Sequence, residues 1–155
     1  MNKQNTYMRI ICDHARTLAQ NGEVPVAAVI VPSDVETHDL TKWPIFGNAM
    51  RETCDPTAHA EICALRETAK RLALPRLDGF DLYVTLEPCT MCAAAIALAR
   101  IRRVYFGAYD TKFGAIDHGV QFFQQPTCHH SPECYGGICE RECADILQDF
   151  FQARR

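Results

Sequence analysis

Two short motifs constrain this chain most, because each places metal-binding or proton-transferring side chains at the start of an expected helix. The letters HAE stand at 59–61 and PCTMC at 88–92. Cys89 and Cys92 lie three residues apart, so one helical turn brings both sulfurs to the same face. A catalytic zinc takes three protein ligands and keeps one position for a reactive water. The motifs therefore predict one zinc ion per chain, bound by His59, Cys89 and Cys92.

Glu61 gives this predicted metal site its chemistry. It lies two positions after His59, a spacing that suits a carboxylate beside the metal rather than on it. Zinc lowers the pKa of a bound water to about 7, and a carboxylate at that position can then act as general base and general acid. The sequence therefore predicts Glu61 as the catalytic residue of a hydrolytic enzyme.

The cysteines are also compatible with roles outside catalysis. A lone C-x-x-C pair occurs as a redox motif or as half of a structural zinc site, although neither role accounts for Glu61. A second group, near the carboxyl end, could ligate another metal or pack as small hydrophobic side chains. It consists of Cys128, His129, His130, Cys134, Cys139 and Cys143.

Length and composition indicate one domain covering residues 1–155, with 48% hydrophobic residues to fill its core. The amino-terminal stretch does not resemble a secretion signal, so we expect the nine cysteines to be reduced and the protein to be cytoplasmic. The chain contains no apolar stretch long enough to span a membrane. A net charge of −3 does not by itself indicate a nucleic-acid partner.

Hydrophobic periodicity predicts alternating helices and strands. Helices are expected at about 6–20, from 55 onward, at 89–99 and at 139–152, and strands at 26–31, 43–50, 81–86 and 103–107. A polar stretch at 33–42 turns the chain, and 111–135 shows little pattern beyond 120–123. Strands and helices in tandem favour parallel strand pairing and a three-layer α/β/α domain, with ligands bound at the strand ends.

Three segments carry a resemblance to a known family. They are DPTAHAEI at 55–62, LYVTLEPCTMCA at 82–93 and RIRRVYFGAYD at 100–110. The combination of H-x-E with P-C-x-x-C is the signature of zinc-dependent nucleobase deaminases. The chain resembles the cytidine deaminase-like zinc enzymes, and among them those bacterial members that deaminate adenosine in tRNA.

The resemblance implies a cytidine deaminase-like fold with a mixed central sheet of about five strands. It also implies conversion of the wobble adenosine of a tRNA anticodon loop to inosine, and a twofold homodimer. By the same resemblance, the inserted base would contact Asn48, Val26 and the backbone N–H of Ala60. Loop residues Tyr109, Asp110 and Lys112 would also bind the substrate, and Phe151, Arg154 and Arg155 are candidate RNA contacts.

This chain departs from the family pattern at three places. Tyr109 replaces an arginine, Ala27 replaces a glycine, and the segment from Ser33 to Lys42 is longer than expected.

Two other functions also stay open. One is deamination of a free base or nucleotide such as guanine or cytosine, which would use the same zinc and Glu61. The other is a catalytically silent partner subunit, which the presence of Glu61 disfavours.

Overall fold

The computed structural model describes residues 2–34 and 40–155. In chain order the elements are α1 (Lys3–Gln20), β1 (Ala27–Pro32), β2 (Phe46–Gly47), α2 (Met50–Thr53), α3 (Ala60–Leu72), β3 (Phe80–Leu86), α4 (Thr90–Leu98), β4 (Arg103–Ala108), β5 (Glu133–Tyr135) and α5 (Glu140–Gln152). Single 3₁₀ turns lie at Leu40–Lys42 and Phe122–Gln124. Part of the predicted long segment from Ser33 to Lys42, residues 35–39, lies outside the described residues.

The five strands form one mixed sheet in the order β2-β1-β3-β4-β5. β1 is antiparallel to both of its neighbours, whereas β3, β4 and β5 run parallel to one another. Parallel neighbours need a crossover connection, and α4 provides it between β3 and β4. The predicted three-layer α/β/α fold with a mixed sheet is confirmed.

The prediction that the tandem strands would all pair in parallel is wrong because of the position of strand β1. It lies between β2 and β3, so those two strands point the same way without touching. The reason is burial, because Ala28 and Ile30 pack into one layer while Val29 and Val31 pack into the other. A strand that is apolar on both faces belongs inside a sheet.

Two predicted boundaries near the site were wrong. The strand expected at 43–50 is only Phe46–Gly47, and Met50 already begins α2. The helix expected from Asp55 begins at Ala60, because Asp55 caps a separate turn. Its Oδ1 accepts hydrogen bonds from the backbone N–H and the hydroxyl of Thr57, at 2.8 Å and 2.7 Å.

Hydrophobic layers cover both faces of the sheet. On one face α1 and α5 pack together, and Tyr7, Ile11 and Ile146 share a cluster with Val29. On the other face α3 and α4 contribute Ala64, Leu65 and Ile96 to a cluster with residues of β3 and β4. Helices near both ends of the chain therefore contribute to the same cluster, and a single domain over residues 1–155 stays a prediction.

Candidate metal centre and active-site pocket

His59 occupies the N-cap of α3. Its backbone is extended, with φ −69° and ψ 155°, while its carbonyl already accepts the helical hydrogen bond from Cys63 N–H at 3.0 Å. Its imidazole forms no capping bond to the helix. The ring is therefore available as a ligand at the edge of the sheet where β3 and β4 also end.

Cys89 holds the corresponding position at α4. It is the N-cap, with φ −77° and ψ 177°, and Cys92 follows within the first turn and is completely buried. The strand-to-helix connection between Leu86 and Thr90 is short, so the end of β3 fixes where both sulfurs lie. The unpaired N–H groups and positive dipole end of a helix stabilise thiolates at such a position.

The three predicted ligands meet in space. The Nδ1 atom of His59 lies 3.6 Å from Cys89 Sγ and 3.5 Å from Cys92 Sγ, and all three ligand atoms lie within 4.8 Å of one another. In tetrahedral zinc sites, Zn–N and Zn–S bonds of about 2.1 Å and 2.3 Å place nitrogen and sulfur about 3.6 Å apart. The donor set and its spacing therefore fit one zinc ion.

A second metal site is not formed by the cysteines near the carboxyl end. Within residues 2–34 and 40–155, the only group of three ligands close enough for a metal is His59, Cys89 and Cys92. Cys128 and Cys134 instead donate to the backbone carbonyls of His130 and Pro132. Cys143 is buried against Cys12, with 3.4 Å between the sulfurs, so it packs as a small core side chain.

The two thiols of the cluster differ in pKa because their surroundings differ. Hydrogen bonds from Cys92 and then from His59 lower the pKa of Cys89 to about 4, despite partial burial. The same contact with Cys89, together with burial, raises the pKa of Cys92. The hydrogen bond to Cys89 also raises the pKa of His59. Cys89 is therefore the group that most readily supplies the first anionic sulfur.

Glu61 lies one residue after the start of α3 and is only 4% exposed. It faces the same pocket as His59 and Cys89 but is not part of the ligand group. Burial raises the pKa of its carboxyl above the ordinary value, which favours the protonated form. A buried carboxyl beside a metal position, able to hold or release a proton, has the properties of a general acid and base.

These groups open into a pocket of about 860 Å³, within the roughly 300–1,000 Å³ usual for small-molecule sites. Most of the predicted substrate residues line it, namely Val26, Asn48, Tyr109, Asp110, Lys112 and Phe151. Three predicted contacts are not on its wall: Ala60, Arg154 and Arg155. Six of the nine predicted substrate and RNA residues therefore lie at the pocket, and their contacts with a substrate stay predictions.

Asn48 and Ala60 are linked to each other. Asn48 is 7% exposed, and its Oδ1 accepts the backbone N–H of Ala60 at 2.8 Å. This bond satisfies a helix-start donor and orients the carboxamide, and it leaves the NH₂ group of Asn48 as a donor at the pocket wall. The Ala60 N–H is already engaged in this arrangement, so its contact with a purine edge stays a prediction.

Arg154 has local partners at the end of α5. Its guanidinium lies 3.6 Å from the ring centroid of Phe150 and donates to the Phe150 carbonyl at 3.1 Å. Phe151, in contrast, is 49% exposed and reaches the pocket. Arg155 is exposed at the chain end. RNA contacts by Arg154 and Arg155 remain predictions.

Sequence reasoning missed several pocket residues. The additional lining residues are Val24, Met50, Leu86, Glu87, Ala108, Thr111, Phe113, Ala144, Leu147 and Gln148. Met50 was assigned to a strand, and Ala144, Leu147 and Gln148 were assigned only to the helix expected at 139–152. Glu87 carried a usable signal, because a charged residue directly after a buried strand and before Pro88 needs a partner.

None of the helices in the described residues combines the length and apolar character needed to cross a membrane.

The family model of the cytidine and deoxycytidylate deaminase zinc-binding region matches residues 1–108. Together with the fold and the cluster of His59, Cys89 and Cys92, this match shows that the chain belongs to the zinc-dependent deaminase family. The cofactor is zinc, and the enzyme class is hydrolase.

Individual proteins that are similar to this chain include both curated relatives and solved structures. A tRNA-specific adenosine deaminase of Agrobacterium fabrum is 48% identical over 155 residues, covering 100% of this chain and 98% of that protein. A solved structure from studies of A-to-I editing by tRNA:A34 deaminases is 50% identical, with a TM-score of 0.81, covering 90% of this chain and 97% of that one. A guanine deaminase from Nitrosomonas europaea is 18% identical, with a TM-score of 0.75 over 92% and 81%, and shares the fold.

Proposed function

We propose that this protein hydrolytically deaminates adenosine to inosine at the wobble position of a tRNA anticodon. The observation that carries the proposal is the position of buried Glu61 beside the three converging ligand atoms in a single pocket. The full-length similarity to a tRNA-specific adenosine deaminase supports adenosine in tRNA as the substrate.

The chemistry assigns a role to each group. His59, Cys89 and Cys92 would hold the zinc ion, which would act as a Lewis acid and lower the pKa of a water. Glu61 takes a proton from the attacking water and delivers it to ring N1 of adenine, then moves a second proton to the departing amine. Asn48 offers its carboxamide to the base. Water and adenosine are thereby converted to inosine and ammonia.

The rim of the pocket favours a nucleic-acid loop over a free base. Tyr109, Phe113 and Phe151 are exposed at 38%, 65% and 49%, and all three line the pocket together with Lys112. Exposed aromatic rings stack on splayed bases, and a lysine contacts phosphate, whereas a free base needs neither. Tyr109 thus supplies a stacking surface in place of an arginine.

A tRNA substrate also fits a cytoplasmic enzyme. We therefore place the enzyme with the tRNA pool in the cytoplasm.

A second copy of the chain is proposed as partner, because α4 is apolar around its whole circumference. One side of α4 packs on the sheet through Ile96, and Ala97 is also buried, while Leu98 on the other side is 79% exposed. A helix that is hydrophobic all round is normally buried on both sides. Burial of the free side against a second chain would give a twofold dimer.

The substrate assignment is tested by offering one preparation two kinds of substrate. An anticodon stem-loop with adenosine at the wobble position is compared with free adenosine, adenine, guanine and cytosine, and products are identified by mass spectrometry after digestion of the RNA. We expect inosine in the stem-loop and no turnover of free bases. Turnover of guanine or cytosine with no inosine in the RNA would instead favour a free-base deaminase.

A further inference from the structure

Glu87 is a buried carboxylate outside the metal ligands and the proton-transfer group. It follows the last residue of β3, and its side chain has no exposed surface. Every hydrogen bond described for its carboxylate comes from one loop, residues 109–118. Its Oε1 accepts from Asp110 N–H at 3.1 Å and lies 2.9 Å from His118 Nδ1. Its Oε2 accepts from the N–H groups of Ile116, Asp117 and His118 at 3.2, 3.0 and 3.1 Å.

The loop held by Glu87 forms one wall of the pocket. Five consecutive residues, 109–113, line it. Asp110 shapes the turn further, since its Oδ1 accepts the N–H groups of Lys112 and Phe113 at 3.0 Å and 2.9 Å. Gly114 allows the close approach, because a Cβ at that position would lie 2.6 Å from Glu87 Oε2. The backbone is thus folded around the carboxylate.

Two further contacts link the loop to the start of α4, where the metal ligands Cys89 and Cys92 lie. Ala115 N–H donates to the Pro88 carbonyl at 2.9 Å, and Cys89 pairs with Gly114 in an isolated antiparallel bridge. Glu87, Pro88 and Cys89 are consecutive, so one short segment carries both the loop anchor and a zinc ligand. A shift of the loop would therefore move the pocket wall relative to Cys89.

A purely structural role predicts a different pattern of contacts. Asp81, at the other end of β3, is also buried but pairs with a single side chain, Arg102, at 3.0 Å from each carboxylate oxygen. Glu87 instead receives four backbone donors from loop 109–118, and one of them, Asp110 N–H, belongs to a residue that lines the pocket. Loss of that acceptor would leave backbone N–H groups of the loop without a partner, including that of buried Ile116, unless the loop moves toward water.

We propose that Glu87 is a positioning residue that holds loop 109–118 in its substrate-binding conformation against the ligand-bearing start of α4. The proposal rests on the proposed function for its kinetic consequence. Its structural consequence, the conformation of the loop, is independent of which substrate the enzyme takes.

The test is Glu87→Gln, with Asp81→Asn as the matched control on the same strand. Glutamine keeps the shape but presents an NH₂ group to backbone N–H donors, so the loop must shift. Zinc content, hydrogen exchange of the amides and steady-state kinetics on the wobble stem-loop are measured on the zinc-loaded proteins. For Glu87→Gln we expect one zinc per chain, at least about tenfold faster exchange at 110 and 116–118, and KM raised about tenfold with a smaller change in kcat. Asp81→Asn should leave exchange in this loop and KM unchanged.

Unchanged loop exchange in Glu87→Gln, or equal loop exchange in both variants, overturns the proposal. A wild-type protein that is inactive on the stem-loop contradicts the proposed function instead, while the exchange result still decides the role of Glu87. If Glu87→Gln does not fold, His118→Ala replaces it, because this variant removes one donor from a half-buried position. Faster exchange at 116–118 and a raised KM are expected there, and wild-type values for both overturn the proposal.

Discussion

At the residue scale, the N-cap positions of α3 and α4 also direct side chains toward the metal position. Cys89 and Cys92 belong to one turn, yet the first is partly exposed with a lowered pKa and the second is buried with a raised pKa. His59 and Cys89 are both N-caps that use their side chains for the metal position rather than for capping. At both N-caps the side-chain capping bond that would stabilise the helix is missing, and the side chain is directed toward the metal position instead.

This asymmetry predicts the reactivity of the zinc-free protein. With a pKa of about 4, Cys89 is a thiolate at pH 5.5, whereas a thiol of ordinary pKa, about 8.5, is protonated. A low-pKa thiolate is also less nucleophilic, so the net expectation is labelling about tenfold faster than a cysteine-containing reference peptide at that pH. Buried Cys92 should stay unlabelled. Iodoacetamide labelling after chelation, with sites assigned by mass spectrometry, gives the rates.

Reloading with zinc should protect Cys89, and Cys89→Ser should abolish the fast reaction. A labelling rate for Cys89 that rises only near pH 8 would contradict the lowered pKa.

At the scale of elements, the long periodic segments were predictable and the short ones were not. α1, α3 and α5 carry apolar stripes of three- and four-residue spacing, and β3 is a continuous buried run. β5 has only three residues, with Cys134 between two more polar neighbours, so periodicity could not reveal it. The insertion of β1 between β2 and β3 depends on tertiary packing, which local pattern does not encode.

The candidate site likewise contains residues that a local sequence pattern can indicate and contacts that it cannot. The predicted metal ligands and Glu61 lie within two short contiguous motifs, so the sequence pattern could point to them, and the role of Glu61 stays a prediction. The Asn48–Ala60 link and the Glu87-bound loop join residues 12 to 31 positions apart. Such contacts follow from the fold rather than from any local pattern.

Packing of β4 against α5 gives a prediction at this scale. A Cβ on Gly107 would overlap Cys143 Sγ and lie 2.7 Å from the Thr85 carbonyl oxygen. Gly107→Ala should therefore lower the free energy of unfolding by about 1–3 kcal/mol, measured by urea denaturation. Cys143→Ala in the same background should recover part of this loss, because the sulfur is removed while the carbonyl stays. Wild-type stability of Gly107→Ala would contradict this packing.

At the scale of the whole molecule, the two faces of α4 connect the active site to assembly. The first turn of α4 holds Cys89 and Cys92, and its last residue, Leu98, is exposed. The catalytic centre and the proposed contact with a second chain therefore lie on one helix.

Leu98→Glu should convert the dimer to a monomer, because a charge cannot be buried in an apolar contact without a partner. Sedimentation velocity should show the mass of one chain for this variant and of two for the wild type. Leu74→Glu, at a leucine 43% exposed just beyond α3, is the control and should stay dimeric. A wild type that sediments as a monomer at micromolar concentration would contradict the proposed dimer.

The proposed mechanism depends on one buried carboxylate that moves protons beside a zinc ion it does not hold. The most direct measurement compares Glu61→Ala with Glu67→Ala, an exposed glutamate on the same helix, for zinc content and inosine formed in the wobble stem-loop. We expect one zinc per chain in both, near wild-type turnover in Glu67→Ala, and a loss of about 10²–10⁴-fold or more in Glu61→Ala. Substantial inosine formation by zinc-loaded Glu61→Ala would contradict this mechanism.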